Sequence, residues 1–108
     1  MNFSLNVICK NASAEHKKRQ IEAMLAELGI SSEVSFTPYW KDKSLSQTIF
    51  GVPVQSPDFD LISRCLSEIA GGQVDVSVSM EEWEFTHYAS MEELSSENGN
   101  AFVVCGIF

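Results

Sequence analysis

Phe3, Leu5, Val7 and Cys9 alternate with Ser4, Asn6 and a less regular Ile8, so residues 3–9 read as a strand with one strongly apolar face. From residue 14 the period changes. Ile21, Met24, Leu25 and Leu28 fall at i, i+3, i+4 and i+7, predicting a helix over about 14–28 with Ser13 as N-cap and Gly29 at the C′ position. Val34 and Phe36 alternate with Glu33, Ser35 and Thr37, a second strand that Pro38 should end or push to a sheet edge. A third strand is expected over 45–54, weakened at its end by Gly51 and Pro53. Residues 32–54 thus read as a β-hairpin about the polar turn Tyr39-Trp40-Lys41-Asp42-Lys43-Ser44. Ser56 as cap and Pro57 at N1 then begin a second helix, whose buried stripe is Ile62, Cys65, Leu66 and Ile69 and which Gly71-Gly72 stop.

The stretch from Val74 to Tyr88 is the most distinctive. Val74, Val76, Val78 and Met80 share one parity, and Trp83, Phe85 and His87 the other, so the chain must slip by one residue at Glu81-Glu82 through a β-bulge or a tight bend. Beyond it, Ser90-Met91-Glu92-Glu93 matches a capping box and Asn98-Gly99 marks a turn. Residues 101–108 are apolar on both faces, as in a strand that is central or covered on both sides.

The resulting order, β-α-β-β-α-β-β, resembles the ferredoxin-like βαββαβ plan with an extra C-terminal strand. It implies an α+β fold in which two helices, Ser13 to Leu28 and Pro57 to Ala70, pack on one face of a mainly antiparallel sheet of four or five strands. The other face is left partly open. A length of 108 residues suits one domain spanning 1–108 that buries its own core. No apolar run approaches the ~20 residues of a membrane helix, and the N-terminus does not read as a secretory signal. Three widely spaced cysteines, Cys9, Cys65 and Cys105, lie on apolar faces and predict buried thiols in a reducing compartment, with no disulfide.

Charge changes the picture most. The net charge is −8, and residues 45–108 hold one basic and ten acidic residues, whereas 1–44 are nearly balanced. Such a surface repels phosphate backbones and anionic membranes and attracts a cationic protein. The run His16-Lys17-Lys18-Arg19 at the first helix reads as a solvated face, with Glu15 and Glu22 as local partners.

No catalytic set is visible. The serines lack a nucleophile elbow, no glycine loop opens a helix, and Glu84-x-x-His87 would share a face only on a helix, so neither metal nor cofactor is expected. Recognition fits the residues better. On a strand, Glu82, Glu84, Thr86 and Tyr88 share one face, carboxylates around an aromatic anchor. The candidate partner-binding residues are therefore Glu81, Glu82, Glu84, Tyr88, Glu92 and Glu93, with Tyr39, Trp40 and Asp42 from the polar turn.

In size, charge asymmetry and its EEWEF–HY cluster the chain resembles the small acidic immunity and inhibitor proteins of bacteria that neutralise a cationic toxin such as a nuclease. That resemblance implies a cytoplasmic, non-enzymatic protein that covers a toxin's active site, its carboxylates standing in for nucleic-acid phosphates. The alternative expectation is a ferredoxin-like regulatory domain that binds a small ligand. A small enzyme is the least favoured.

Overall fold

The computed structural model describes residues 1–96 and 99–108. Among these, the elements run β1 (Asn2–Lys10), α1 (Ala14–Glu27), β2 (Thr37–Tyr39), β3 (Asp42–Pro53), α2 (Phe59–Ala70), β4 (Asp75–Ser79), β5 (Glu82–His87), α3 (Met91–Ser95) and β6 (Phe102–Ile107). The strands form one six-stranded sheet of order β2-β3-β1-β6-β5-β4, with every neighbouring pair antiparallel. The class is α+β. No helix among the described residues is long and apolar enough to cross a membrane.

β6 is apolar on both faces because it lies inside the sheet, between β1 and β5. Its Val103, Cys105 and Ile107 are fully buried, and they join Phe3, Leu5, Val7 and Cys9 of β1 in the main core with Ile21, Met24 and Leu25 of α1 and Ile62, Leu66 and Ile69 of α2. The opposite parity of β1 feeds a second, smaller cluster. There Ile8, Leu45 and Leu94 are buried, with Tyr39, Ala89 and Phe102 packed against them.

Helix ends show where local chemistry prevails. The Gly29 N–H donates to Ala26 O at 3.0 Å and the Ile30 N–H to Leu25 O at 2.8 Å, a complete Schellman closure of α1 about the left-handed Gly29. Ser13, expected as the N-cap, makes no side-chain capping bond. It sits instead in a 3₁₀ turn, Asn11–Ser13, that runs directly into the helix. For α2 the cap is Asp58, whose carboxylate accepts from the Leu61 N–H at 3.0 Å, so the helix starts after Pro57 rather than at it, and Ser56 takes no part.

Gly71 ends α2 at φ +74, and an added Cβ there would come within 2.8 Å of Asn100 Oδ1 and 3.3 Å of the Gly99 carbonyl, whereas one on Gly29 would meet open space. Gly29→Ala should therefore cost about 1 kcal/mol for the left-handed backbone alone, and Gly71→Ala roughly 1 kcal/mol more. Urea unfolding of the two variants measures the difference. Equal losses would mean that residues 99–100 give way freely.

Three expectations are corrected. Residues 32–36 are not a strand, because Val34 is buried by the loop and its N–H donates to the Glu22 carboxylate at 2.9 Å rather than to a ladder. β2 is only Thr37–Tyr39, with Pro38 inside an edge strand and a register shift beside it. The stretch from Val74 to Tyr88 is two strands, not one: Met80 and Glu81 have φ of +49 and +71, the conformation of a two-residue I′ hairpin turn. The slip in parity is this reversal. β4, although its apolar residues share one parity as in a half-buried strand, is exposed at every residue because it forms the sheet edge, and Met80 stands on the turn, 94% exposed.

The basic run on α1 also divides differently. Glu15 and Arg19 pair at 3.5 Å and Lys18 reaches Glu33 at 3.9 Å, but Lys17 is buried rather than solvated. Its Nζ donates to the Ile69 carbonyl at 2.6 Å and the Gly99 carbonyl at 2.8 Å, tying α1 to the end of α2 and to the approach to β6. Asn98 of the expected Asn98-Gly99 turn lies outside the described residues; Gly99 has a positive φ of 68°.

Candidate functional site

The pleat of β5 separates its side chains by chemistry. Trp83, Phe85 and His87 turn toward the main core: Trp83 stacks on Phe59 of α2 with centroids 4.0 Å apart, and Phe85 is buried. The His87 ring lies against Gly72, where a Cβ would meet Cε1 at 2.8 Å, and its Nδ1 is 3.0 Å from the Gln73 carbonyl. Of the four rings Trp83, Phe85, His87 and Tyr88, the first three are thus structural. Glu84 and His87 face opposite sides of the strand, and no group of three His, Cys, Asp or Glu among the described residues is placed to hold a metal ion.

Glu82 and Glu84 occupy the other face and are exposed. The register sets Glu84 beside Ser77 on β4 and Gly106 on β6, then Gly106 beside Ser4 on β1, and Ser4 beside Gly51 on β3. With such small residues in a row the floor of the sheet is low. Ser4, Ser77, Ser79, Glu82, Glu84 and Gly106 line a shallow depression of about 310 Å³. Gly106 keeps this floor open: a Cβ there would stand 3.0 Å from Ser4 Oγ, which donates to the Gly106 carbonyl at 3.5 Å, and would push that hydroxyl aside.

At the far end of the same face, α3 lies over the second cluster through Leu94. Its capping box is complete: the Glu93 N–H donates to Ser90 Oγ and the Ser90 N–H to Glu93 Oε2, both at 3.2 Å. Just past α3, the Ser96 carbonyl accepts from Lys10 Nζ at 3.0 Å. Tyr88 rests one side of its ring on Phe102, centroids 5.6 Å apart, and remains 68% exposed. A ring held at its base and free at its edge suits an anchor.

Glu82 and Glu84 share the outer face of β5 and Glu81 stands on the adjoining turn, while Tyr88 lies just past the end of the strand against Phe102, and Glu92 and Glu93 are on α3. The hairpin residues are less available. Tyr39 is partly buried in the second cluster, and the Asp42 carboxylate accepts from both the hydroxyl (2.6 Å) and the N–H (2.9 Å) of Ser44, bonds that hold its pKa below the usual carboxylate value. Trp40 is highly exposed, with Lys41 Nζ 5.0 Å from its ring centroid. Glu93 is partly committed to its cap. The carboxylates of Glu81, Glu82, Glu84 and Glu92, by contrast, make no hydrogen bond or ion pair among the described residues.

Compared with family models, curated proteins and solved structures, the chain matches none. The site therefore rests on its own geometry.

Proposed function

We propose that this chain binds a cationic protein through the outer face of its sheet, as an inhibitor or immunity protein acting on a basic toxin such as a nuclease would. One observation carries the reading. From β4 through α3 the exposed charges, Asp75, Glu81, Glu82, Glu84, Glu92 and Glu93, are all negative, with no lysine or arginine anywhere between residues 75 and 95. Balanced surfaces intersperse both signs; a stretch of one sign, bounded at its far end by Lys10 where its ammonium reaches the Ser96 carbonyl, steers an oppositely charged partner. The strand order supports a ferredoxin-like layout with α1 and α2 on one side and the acidic face on the other. Beside β1, however, stands β6 and not the strand that follows α2, so the addition to the plan is the β4–β5 hairpin rather than the C-terminal strand. No residue is assigned a catalytic role, and the repulsion of phosphates argues against nucleic acid as the direct partner.

The test is kinetic. A basic protein that co-purifies from the native host is identified and purified, and its binding is compared for the wild type and a folded Glu82→Lys/Glu84→Lys variant. At low ionic strength the variant should lose tenfold or more in affinity, mainly in association rate, and the gap should narrow at about 0.5 M salt. Tyr88→Ala should act on dissociation instead, costing about 2 kcal/mol if the ring is buried by the partner. An effect below threefold, or an acidic partner, defeats the proposal. The depression around Ser4 and Gly106 would then favour a small-ligand reading, with binding indifferent to salt.

A further inference from the structure

The two outer strands of the sheet are built very differently. β2 is three residues long, contains Pro38 and carries a register shift, and the part of β3 beyond it holds Gly51 and Pro53. These are the devices by which sheet edges avoid pairing with other chains. β4 has none of them. Its sequence is Asp75-Val76-Ser77-Val78-Ser79, regular in register along its whole length, without proline, glycine or lysine, and exposed at every position.

Which backbone groups face outward follows from the hairpin. A two-residue turn makes Ser79↔Glu82 a hydrogen-bonded pair, and such pairs alternate along an antiparallel ladder. Ser79, Ser77 and Asp75 therefore direct their N–H and C=O groups to β5. Val76 and Val78 direct theirs outward. We propose that β4 is a self-association edge on which a second copy of this chain adds its own β4, antiparallel, joining the two sheets into one.

The register is fixed by that arithmetic. An antiparallel pair centred on Ser77 sets Val76 opposite Val78 of the second copy, so both residues with outward groups exchange both bonds and four backbone hydrogen bonds form. A shift by one step of the ladder in either direction leaves only part of this set. The side chains agree. Val76 and Val78, 46% and 54% exposed in the single chain, meet each other across the junction on the face that carries Trp83 and Phe85. Ser77 meets Ser77, and Asp75, the strand's one charge, falls opposite the hydroxyl of Ser79 rather than opposite another carboxylate.

The opposing force is the net charge of −8 on each copy. In the joined sheet the two β5 strands lie three strand spacings apart, roughly 14 Å, farther than the screening length of about 8 Å at physiological ionic strength. Repulsion therefore weakens the dimer without forbidding it, and salt tightens it. That sign is opposite to the one expected for a cationic partner. An interface this narrow is transient.

Sedimentation of the whole chain from 5 µM to 1 mM, at low and at 0.5 M salt, should show a reversible monomer–dimer equilibrium that shifts toward dimer as salt rises. By amide hydrogen exchange, Val76 and Val78 should slow more than tenfold between dilute and concentrated samples, while Ser77, already bonded to β5, changes little. Val78→Pro removes an outward N–H without touching the β4–β5 ladder, and Val78→Lys places a charge in the junction at an already exposed position. Each should raise the dissociation constant at least tenfold. A monomer at 1 mM in 0.5 M salt, a dimer that loosens with salt, or a dimer that survives both variants with Val76 and Val78 unprotected would overturn the proposal.

Discussion

Replacing Lys17 by alanine lowers the unfolding free energy by about 4 kcal/mol, and replacing it by methionine by about 2 kcal/mol. Lys17 is buried, and its ammonium supplies the Ile69 carbonyl, one of the carbonyls that the end of α2 leaves without a helical partner, together with the Gly99 carbonyl. Bonds from a charged donor are worth about 1.5–3 kcal/mol each, while desolvating an ammonium costs several, so the net from the charge alone is modest. Methionine keeps the volume of the stem and loses only that net. Alanine adds a cavity beside the core, worth about 2 kcal/mol more. Chemical denaturation of the three proteins reads both quantities, and a methionine variant as stable as the wild type would show that the stem, not the ammonium, matters.

Stability should also fall by about 2–3 kcal/mol between pH 9 and pH 11, on the linkage value of 1.36 kcal/mol per pKa unit. Burial pushes the Cys9 thiol up from 9.0 to about 11, against a smaller lowering by Lys17, and burial pushes Cys105 further still. A thiol whose folded pKa is raised keeps its proton in the folded chain while the unfolded chain releases it. Its stabilisation is complete below pH 9 and is lost as pH rises through the folded value. Lys17 works in the opposite sense: desolvation lowers its pKa from 10.5, so the unfolded chain holds that proton longer and alkali favours the folded state. Cys65 is shifted up as well, by burial and by the nearby Glu27 and Glu68, so three raised thiols oppose one amine. Denaturant midpoints taken each half unit of pH should decline across this window, and a Cys9→Ala/Cys105→Ala variant, less stable at pH 7, should show a flatter profile. A wild-type profile that is level to pH 11 would refute the account.

Much of the fold was legible where a local signal and the tertiary structure agree. Gly29 closes α1 and Ser90 with Glu93 opens α3 because those caps are satisfied within a few residues of chain. The doubly apolar pattern of 101–108 indicated a strand that is central or covered on both sides, and β6 is central, between β1 and β5, with only one face fully buried. The hairpin inside 74–88 was harder. The reversal of parity at 81–82 showed that something bends, but Met80-Glu81 lacks the Asn-Gly or Asp-Gly chemistry that names a I′ turn, so the strand count came out low. Val34 misled in the other direction, since its alternation with Phe36 reflects burial in a loop whose N–H is taken by Glu22.

Lys17 was legible and misread. It stands four residues before Ile21 and seven before Met24, on the buried stripe of α1, yet its charged neighbours suggested a solvated face. For the candidate site, the sorting of Glu82 and Glu84 from Trp83 and Phe85 followed from strand period alone. What no local pattern supplied was the neighbourhood: that small residues from four other strands would lower the floor beside Glu84, or that Ser44 would occupy Asp42.

The place of β6 carries a consequence for how this protein comes into being. In the sheet, β2, β3 and β1 form one block and β5 with β4 another, and β6 is the strand between them, pairing with β1 across about a hundred residues of sequence. During synthesis the first block and the hairpin are both made before the strand that unites them. Each long-range pairing must meet its loop-closure entropy before any ladder rewards it, so the sheet closes late and in one step rather than growing strand by strand. Until residues 102–107 emerge, β1 and β5 each lack the strand that pairs with one of their edges, and the nascent chain depends on helical contacts alone to keep its two halves together.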